Sequence, residues 1–165
     1  MGHNKLEFLS AIYPIYWTLQ QFLERLGNRS MINSLTEQEK ERILAAAQNA
    51  VKKAYAPYSK FRVGAAVLTN TGSVFTGCNV ENSSYGISIC AERTAIFKAV
   101  SEEGGSNMVL KAIAVVSENR SYCPPCGACR QVIFEFGANA IVLFQGKDGW
   151  RQVRAKDILP EGFRL

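Results

Sequence analysis

Three cysteines, Cys90, Cys126 and Cys129, stand at the starts of two predicted helices, in Cys90-Ala91-Glu92-Arg93 and Pro125-Cys126-Gly127-Ala128-Cys129. A helix N-terminus offers free backbone amides and the positive end of the helix dipole. Both stabilise a thiolate, the form of cysteine that binds metal. Cys126 and Cys129 are three residues apart and so share one face of a first helical turn. With Cys90 they supply three soft ligands suited to one tetrahedral zinc ion. An ion held by all three ties both helix starts to a single point, which few chain paths allow.

A structural zinc site closes its tetrahedron with protein groups, whereas a catalytic one keeps a position for water. The only histidine, His3, stands far from the cysteines in an N-terminal leader, so a Cys3His site needs that leader. Cys123 and Cys78 are the other candidates for a closed site. Pro124-Pro125 keep the chain extended between Cys123 and Cys126, which points Cys123 elsewhere. Cys123, Cys126 and Cys129 also match the start of an iron–sulfur run, but its fourth position is Ile133.

Glu92 lies two residues from Cys90, too crowded to chelate the same ion but able to reach its bound water. A glutamate in a first helical turn is by itself an ordinary dipole partner. Beside Cys-x-Glu and a later Pro-Cys-x2-Cys, a proton-transfer role is the stronger reading.

The 165 residues suit one domain, and 47% hydrophobic with 20% charged residues is ordinary for a globular chain. The net charge of +5 is scattered, with no basic stripe or tail and no RNA-binding aromatic motif. A nucleic-acid partner is therefore not expected. Five cysteines, an odd number, do not read as a secreted disulfide framework, because no signal peptide precedes them. Residues 8–19 are apolar, but Pro14 interrupts them and the stretch is too short to span a bilayer. A membrane role is not expected, and the location expected is the cytoplasm.

Composition changes near Ser30, which divides a leader, 1–30, from a catalytic domain, 31–165. Leu6, Leu9, Tyr13, Tyr16, Leu19, Phe22, Leu23 and Leu26 recur at roughly helical spacing in the leader. It is either an appended segment preceding a start at Met31 or an amphipathic helix. Thr36 and Glu39 form a capping-box signal for a helix over 37–55, ended by Pro57. Strands are predicted over 63–69, 73–78, 109–117, 140–144 and 150–154, with helices over 90–103 and 126–136 and a short one at 157–159. The 79–88 segment reads as a polar loop. This order predicts an α/β fold, a three-layer α/β/α sandwich around a mixed five-stranded sheet.

Beyond the leader, from about Leu35 to Phe163, the chain resembles the small, homotetrameric, three-cysteine cytidine deaminases. The resemblance rests on Tyr55-Ala56-Pro57-Tyr58-Ser59-Lys60-Phe61, Val63-Gly64-Ala65-Ala66, Gly77-Cys78-Asn79-Val80-Glu81-Asn82 and the two cysteine segments. They continue as Arg93-Thr94-Ala95 and Arg130-Gln131, and Leu159-Pro160-Glu161-Gly162-Phe163 resembles the family's C-terminal signature.

The resemblance implies one Zn2+ per chain, Glu92 as proton shuttle, and a free nucleoside substrate in pyrimidine salvage. It implies that Asn79 and Glu81 bond the ribose, chiefly its 3′-hydroxyl, and that Phe61 packs on the pyrimidine. It places Ala91 among the substrate contacts, Tyr85 near a subunit interface and a neighbouring site, and Phe163 in a neighbouring subunit's site. Arg93 would donate to cysteine sulfurs. Asn79 as a mere chain-turning residue and Phe61 as a core side chain are the competing readings. Three rivals remain: a nucleoside-antibiotic deaminase, a polynucleotide editor and a non-catalytic zinc-stabilised module. The Arg93-Thr94-Ala95 continuation and Leu-Pro-x-x-Phe end favour cytidine over the first, and polynucleotide editors usually carry His-x-Glu. The third would leave Glu92 without a task.

Overall fold

The computed structural model describes residues 34–105, 107–119 and 121–164. The leader, His3 and Met31 fall outside the described residues. The first described helix, α1 (Glu37–Val51), starts at the expected capping box. Thr36 Oγ1 accepts the Glu39 amide at 3.2 Å, and the Glu39 carboxylate accepts the Thr36 amide at 3.1 Å.

This helix ends at Val51 and does not continue to Tyr55. The cause is tertiary. Tyr55 forms a parallel bridge with Val80, its amide donating to Asn79 O at 3.0 Å and its carbonyl accepting from Glu81 N at 2.8 Å. Those bonds extend the backbone just before Pro57 and draw the loop toward the segment after the second strand.

The sheet comprises β1 (Val63–Thr69), β2 (Val74–Cys78), β3 (Leu110–Ser117), β4 (Ile141–Gly146) and β5 (Gly149–Arg154), in the order β2-β1-β3-β4-β5. Only β3 and β4 pair in parallel, so the sheet is mixed as expected. Between them lie α2 (Ala91–Glu103), after β2, and α3 (Gly127–Gly137), between β3 and β4. Alternate residues of the central strands serve two cores. Ala66, Leu68, Ala112, Ala114, Val116, Ile141 and Leu143 meet Ile43, Ala47 and Val51 of α1. On the other face Ala65, Val67, Ile113, Val115, Val142 and Phe144 share a core with Ala95, Ile96 and Ala99 of α2 and Ile133 of α3. With both faces covered, β1 reads as an unbroken buried run.

The topology also fixes where the chemistry must lie. β2 and β1 are antiparallel, as are β1 and β3, so β2, β3 and β4 all run in one direction. α2 and α3 each leave the carboxyl end of such a strand, so their N-termini open on the same edge of the sheet. Gly77 lets α2 approach closely: a Cβ there would fall 2.6 Å from Ala91 O.

Small boundary differences follow from pairing. Ser73 and Val109 lie outside the strands assigned to them, and the last helical turn is a 3-10 segment, Ala155–Ile158. The polar loop contains a 3-10 turn, Tyr85–Ile87. Among the described residues, no helix is long and apolar enough to cross a membrane.

Candidate active site

Cys90 is the N-cap of α2 and Cys126 the N-cap of α3, one residue before the helices proper. Both are extended, with φ, ψ of −77°, 153° and −68°, 168°, and neither side chain caps its own helix. Their sulfurs are free to meet that of Cys129, buried in the first turn of α3. The three sulfurs lie within 4.8 Å of one another. A tetrahedral zinc with bonds of about 2.3 Å needs sulfurs roughly 3.8 Å apart, so small side-chain rotations close this cluster on an ion.

Cys78 and Cys123 are outside the cluster. The Cys78 thiol donates to Lys53 O at 3.4 Å. Cys123 contributes no sulfur to the cluster, as its two following prolines suggest, although it lines the cavity that opens over the cluster. Its amide donates to Gln145 O at 3.0 Å, and its side chain is buried in the wall of the same cavity. Burial, reinforced by the charges of Glu92 and Cys90, pushes its thiol up to about 12. The donors therefore fit an open three-thiolate site.

Glu92, in the first turn of α2, is 5% exposed. Burial pushes its carboxyl up to about 7, and the neighbouring Cys90 charge adds to the effect. Arg93 Nη2 donates to Cys90 Sγ at 3.6 Å. A hydrogen bond from Cys129, then Arg93, hold Cys90 down at about 5 against burial, while Cys129, the donor of that pair, is raised.

A cavity of about 320 Å³ opens over this cluster. Phe61, Asn79, Glu81 and Ala91 line it together with Cys90, Glu92 and Cys126. Tyr85 instead lines an adjoining hollow with Tyr58, Ser59, Glu81 and Ser88, its ring edge-on to Tyr58 at 5.7 Å. Phe163 lines neither: the residue is 65% exposed and its carbonyl accepts from Gln131 Nε2 at 3.1 Å.

The two polar groups expected to meet a sugar are already tied to backbone. Asn79 Oδ1 accepts the Val63 amide at 2.8 Å, and Nδ2 donates to Phe61 O at 2.9 Å. Glu81 Oε2 accepts the Tyr58 and Ser59 amides at 2.8 and 3.2 Å, and Oε1 accepts the Ser59 hydroxyl. The Ser59 hydroxyl and those amides hold the carboxyl below the ordinary glutamate range. Sequence reasoning missed Ser59, Ser88, Ile89 and Pro124 in the cavity wall. For Ser59 a signal existed: a serine two residues before an amide it can accept is a turn-forming pattern.

A family model described as the cytidine and deoxycytidylate deaminase zinc-binding region matches residues 37–145. The chain belongs to this deaminase family. It is an enzyme family with a zinc-binding region, and the Cys90–Cys126–Cys129 cluster fits one Zn2+ per chain. This deaminase is 46% identical over 125 residues to a cytidine deaminase of Sporosarcina psychrophila, covering 74% of this chain and 90% of that one. It is 52% identical over 109 residues to a probable cytidine deaminase of Dictyostelium discoideum, covering 66% and 72%. A solved cytidine deaminase structure from Burkholderia pseudomallei matches with a TM-score of 0.67 at 47% identity, over 78% of this chain and all of that one. One from Mycobacterium tuberculosis matches at 0.68 and 40%, over 77% and 98%.

Proposed function

We propose that this deaminase hydrolyses cytidine and 2′-deoxycytidine to uridine and 2′-deoxyuridine, releasing ammonia, in pyrimidine salvage. The observation that carries the reading is a buried glutamate, Glu92, on the same helix turn as one thiol of a three-thiol cluster, at the base of a cavity. Zinc, when bound by Cys90, Cys126 and Cys129, supplies Lewis acidity that brings the pKa of a water toward neutrality. Glu92 takes the proton of the attacking water and delivers it to N3 of the base. Once the C4–O bond has formed, the same carboxyl takes the second proton from the new C4 hydroxyl and passes it to the amino group, which leaves as ammonia as the C4–N bond breaks and C4=O forms.

Phe61 packs on the pyrimidine, and Asn79 and Glu81 hold the ribose beside Ala91, so that C4 sits at the metal cluster. Their contribution is orientation, which lowers the entropic part of the barrier. Tyr85 and Phe163, both exposed and outside the main cavity, complete the site in a neighbouring subunit of a cytoplasmic homotetramer. Residues 1–30 are dispensable for catalysis. A chain starting at Met31 keeps zinc, subunit count and turnover, and its aggregation would refute that division.

Loss of the amino-pyrimidine absorbance on adding cytidine or 2′-deoxycytidine tests the reaction. No change with either, in zinc-loaded protein, would overturn it. Light scattering tests assembly: a fully active monomer sinks the shared site.

A further inference from the structure

Ser59 is exposed, lies on the loop before β1, and joins two of the groups assigned above to substrate, Phe61 and Glu81. Its hydroxyl donates to Glu81 Oε1 and accepts the Phe61 amide at 3.0 Å, while its own amide donates to Glu81 Oε2 at 3.2 Å. The turn between them passes through Lys60 at φ 57°, a left-handed conformation that brings the Phe61 amide back onto the hydroxyl. Ser59 and Glu81 line both the main cavity and the adjoining hollow.

Hydrogen-bond capacity gives this arrangement a consequence. An ionised carboxylate has about four acceptor sites. In Glu81 the Tyr58 and Ser59 amides occupy Oε2, and the Ser59 hydroxyl takes one site on Oε1. The site left over is on the oxygen that Ser59 holds. Asn79, after bonding Val63 and Phe61, retains one N–H and one lone pair. Together the two side chains match one hydroxyl, which donates to Glu81 and accepts from Asn79.

Resting on the nucleoside reading above, we infer that Ser59 is a positioning residue. Its hydroxyl orients the Glu81 carboxylate so that the remaining acceptor site receives a single ribose hydroxyl, the 3′-hydroxyl common to cytidine and 2′-deoxycytidine. Without that bond only the Tyr58 and Ser59 amides hold the carboxylate, both through Oε2, and the acceptor site on Oε1 loses its direct restraint.

The experiment compares wild type, Ser59→Ala and Ser59→Thr on cytidine and on 2′,3′-dideoxycytidine, with zinc content measured for each. Ser59→Ala raises KM for cytidine roughly tenfold with kcat within about twofold, as loss of a bond to a charged group that acts on binding requires. The loss in kcat/KM on cytidine exceeds that on the dideoxy analogue by about the same factor, since the analogue lacks the hydroxyl being read. Ser59→Thr, which keeps the hydroxyl, restores KM. In a Glu81→Ala background, Ser59→Ala adds almost nothing, because the two act as one unit.

Equal losses on both substrates, a fall in kcat with loss of zinc, or additivity with Glu81→Ala each overturn the inference. Wild-type protein that turns over cytidine while Ser59→Ala matches it overturns this inference alone. Wild-type protein inert toward both substrates overturns the nucleoside reading and this inference with it.

Discussion

Arg93 reaches back across the first turn of α2 and donates to the sulfur of Cys90 at 3.6 Å. Three thiolates leave a bound zinc with net negative charge, and a guanidinium on one sulfur withdraws part of it. Arg93→Gln keeps a donor but removes the cation. Zinc affinity, measured by competition with a chromophoric chelator, falls by about 10-fold or more, in the range for groups that support metal ligands. Unchanged affinity would mean that the guanidinium has no electronic part in the site.

Cys90→Ala, Cys126→Ala and Cys129→Ala each lose zinc and activity together. Cys123→Ala, although its side chain lines the same cavity, retains about one zinc per chain, because its sulfur is outside the cluster. Metal analysis of purified variants decides this, and an emptied site in Cys123→Ala would falsify the three-ligand assignment.

Glu92→Gln keeps the shape of the side chain and removes its basicity. Zinc content stays at the wild-type level while kcat falls on the order of 100-fold or more, since proton transfer to N3 and to the leaving group loses its agent. Near-normal turnover with full zinc would rule Glu92 out as the shuttle.

Acid stability follows from Glu39, which Lys111 Nζ contacts at 2.6 Å while its carboxylate also serves the capping box. Partial burial opposes ionisation, but the Lys111 and Thr36 hydrogen bonds outweigh it and lower the pKa below the ordinary 4.5. A depressed carboxyl stabilises the fold above its unfolded value and loses that contribution as pH falls through the folded one. Glu39→Gln therefore melts below wild type at pH 7, and the gap narrows under acid below about 4.5. A gap that persists unchanged to acid pH would assign the effect to lost capping geometry instead.

The parts of this molecule that were legible in its sequence are those set by local rules. Thr36 and Glu39 announce the start of α1, the apolar run of β1 announces a strand, and Cys-x-Glu with Pro-Cys-x2-Cys marks the metal cluster and the glutamate beside it. The end of α1 at Val51 was not legible. Nothing between Lys52 and Tyr55 stops a helix, and the stop comes from pairing with Val80. The same holds for Asn79, whose side chain braces Phe61 and Val63 from the far side of a hairpin. Cys123 stands outside the cluster, as its prolines suggest, but its place in the cavity wall goes with a bond to Gln145 that no local rule foretells.

Because β2, β3 and β4 run in one direction, the connections of the sandwich are sorted between two rims. The ligands, Glu92 and the loop around Ser59 all gather on one. On the other lie the hairpin turn at Asn70–Gly72, the stretch after Glu103 and the link from α3 to β4. Evolution and engineering thus face an asymmetric scaffold. Peptide tags or surface anchors inserted beside Gly72, where a Cβ would meet nothing, are remote from every group that handles the substrate. One added residue between Cys123 and Cys126 would shift two metal ligands at once.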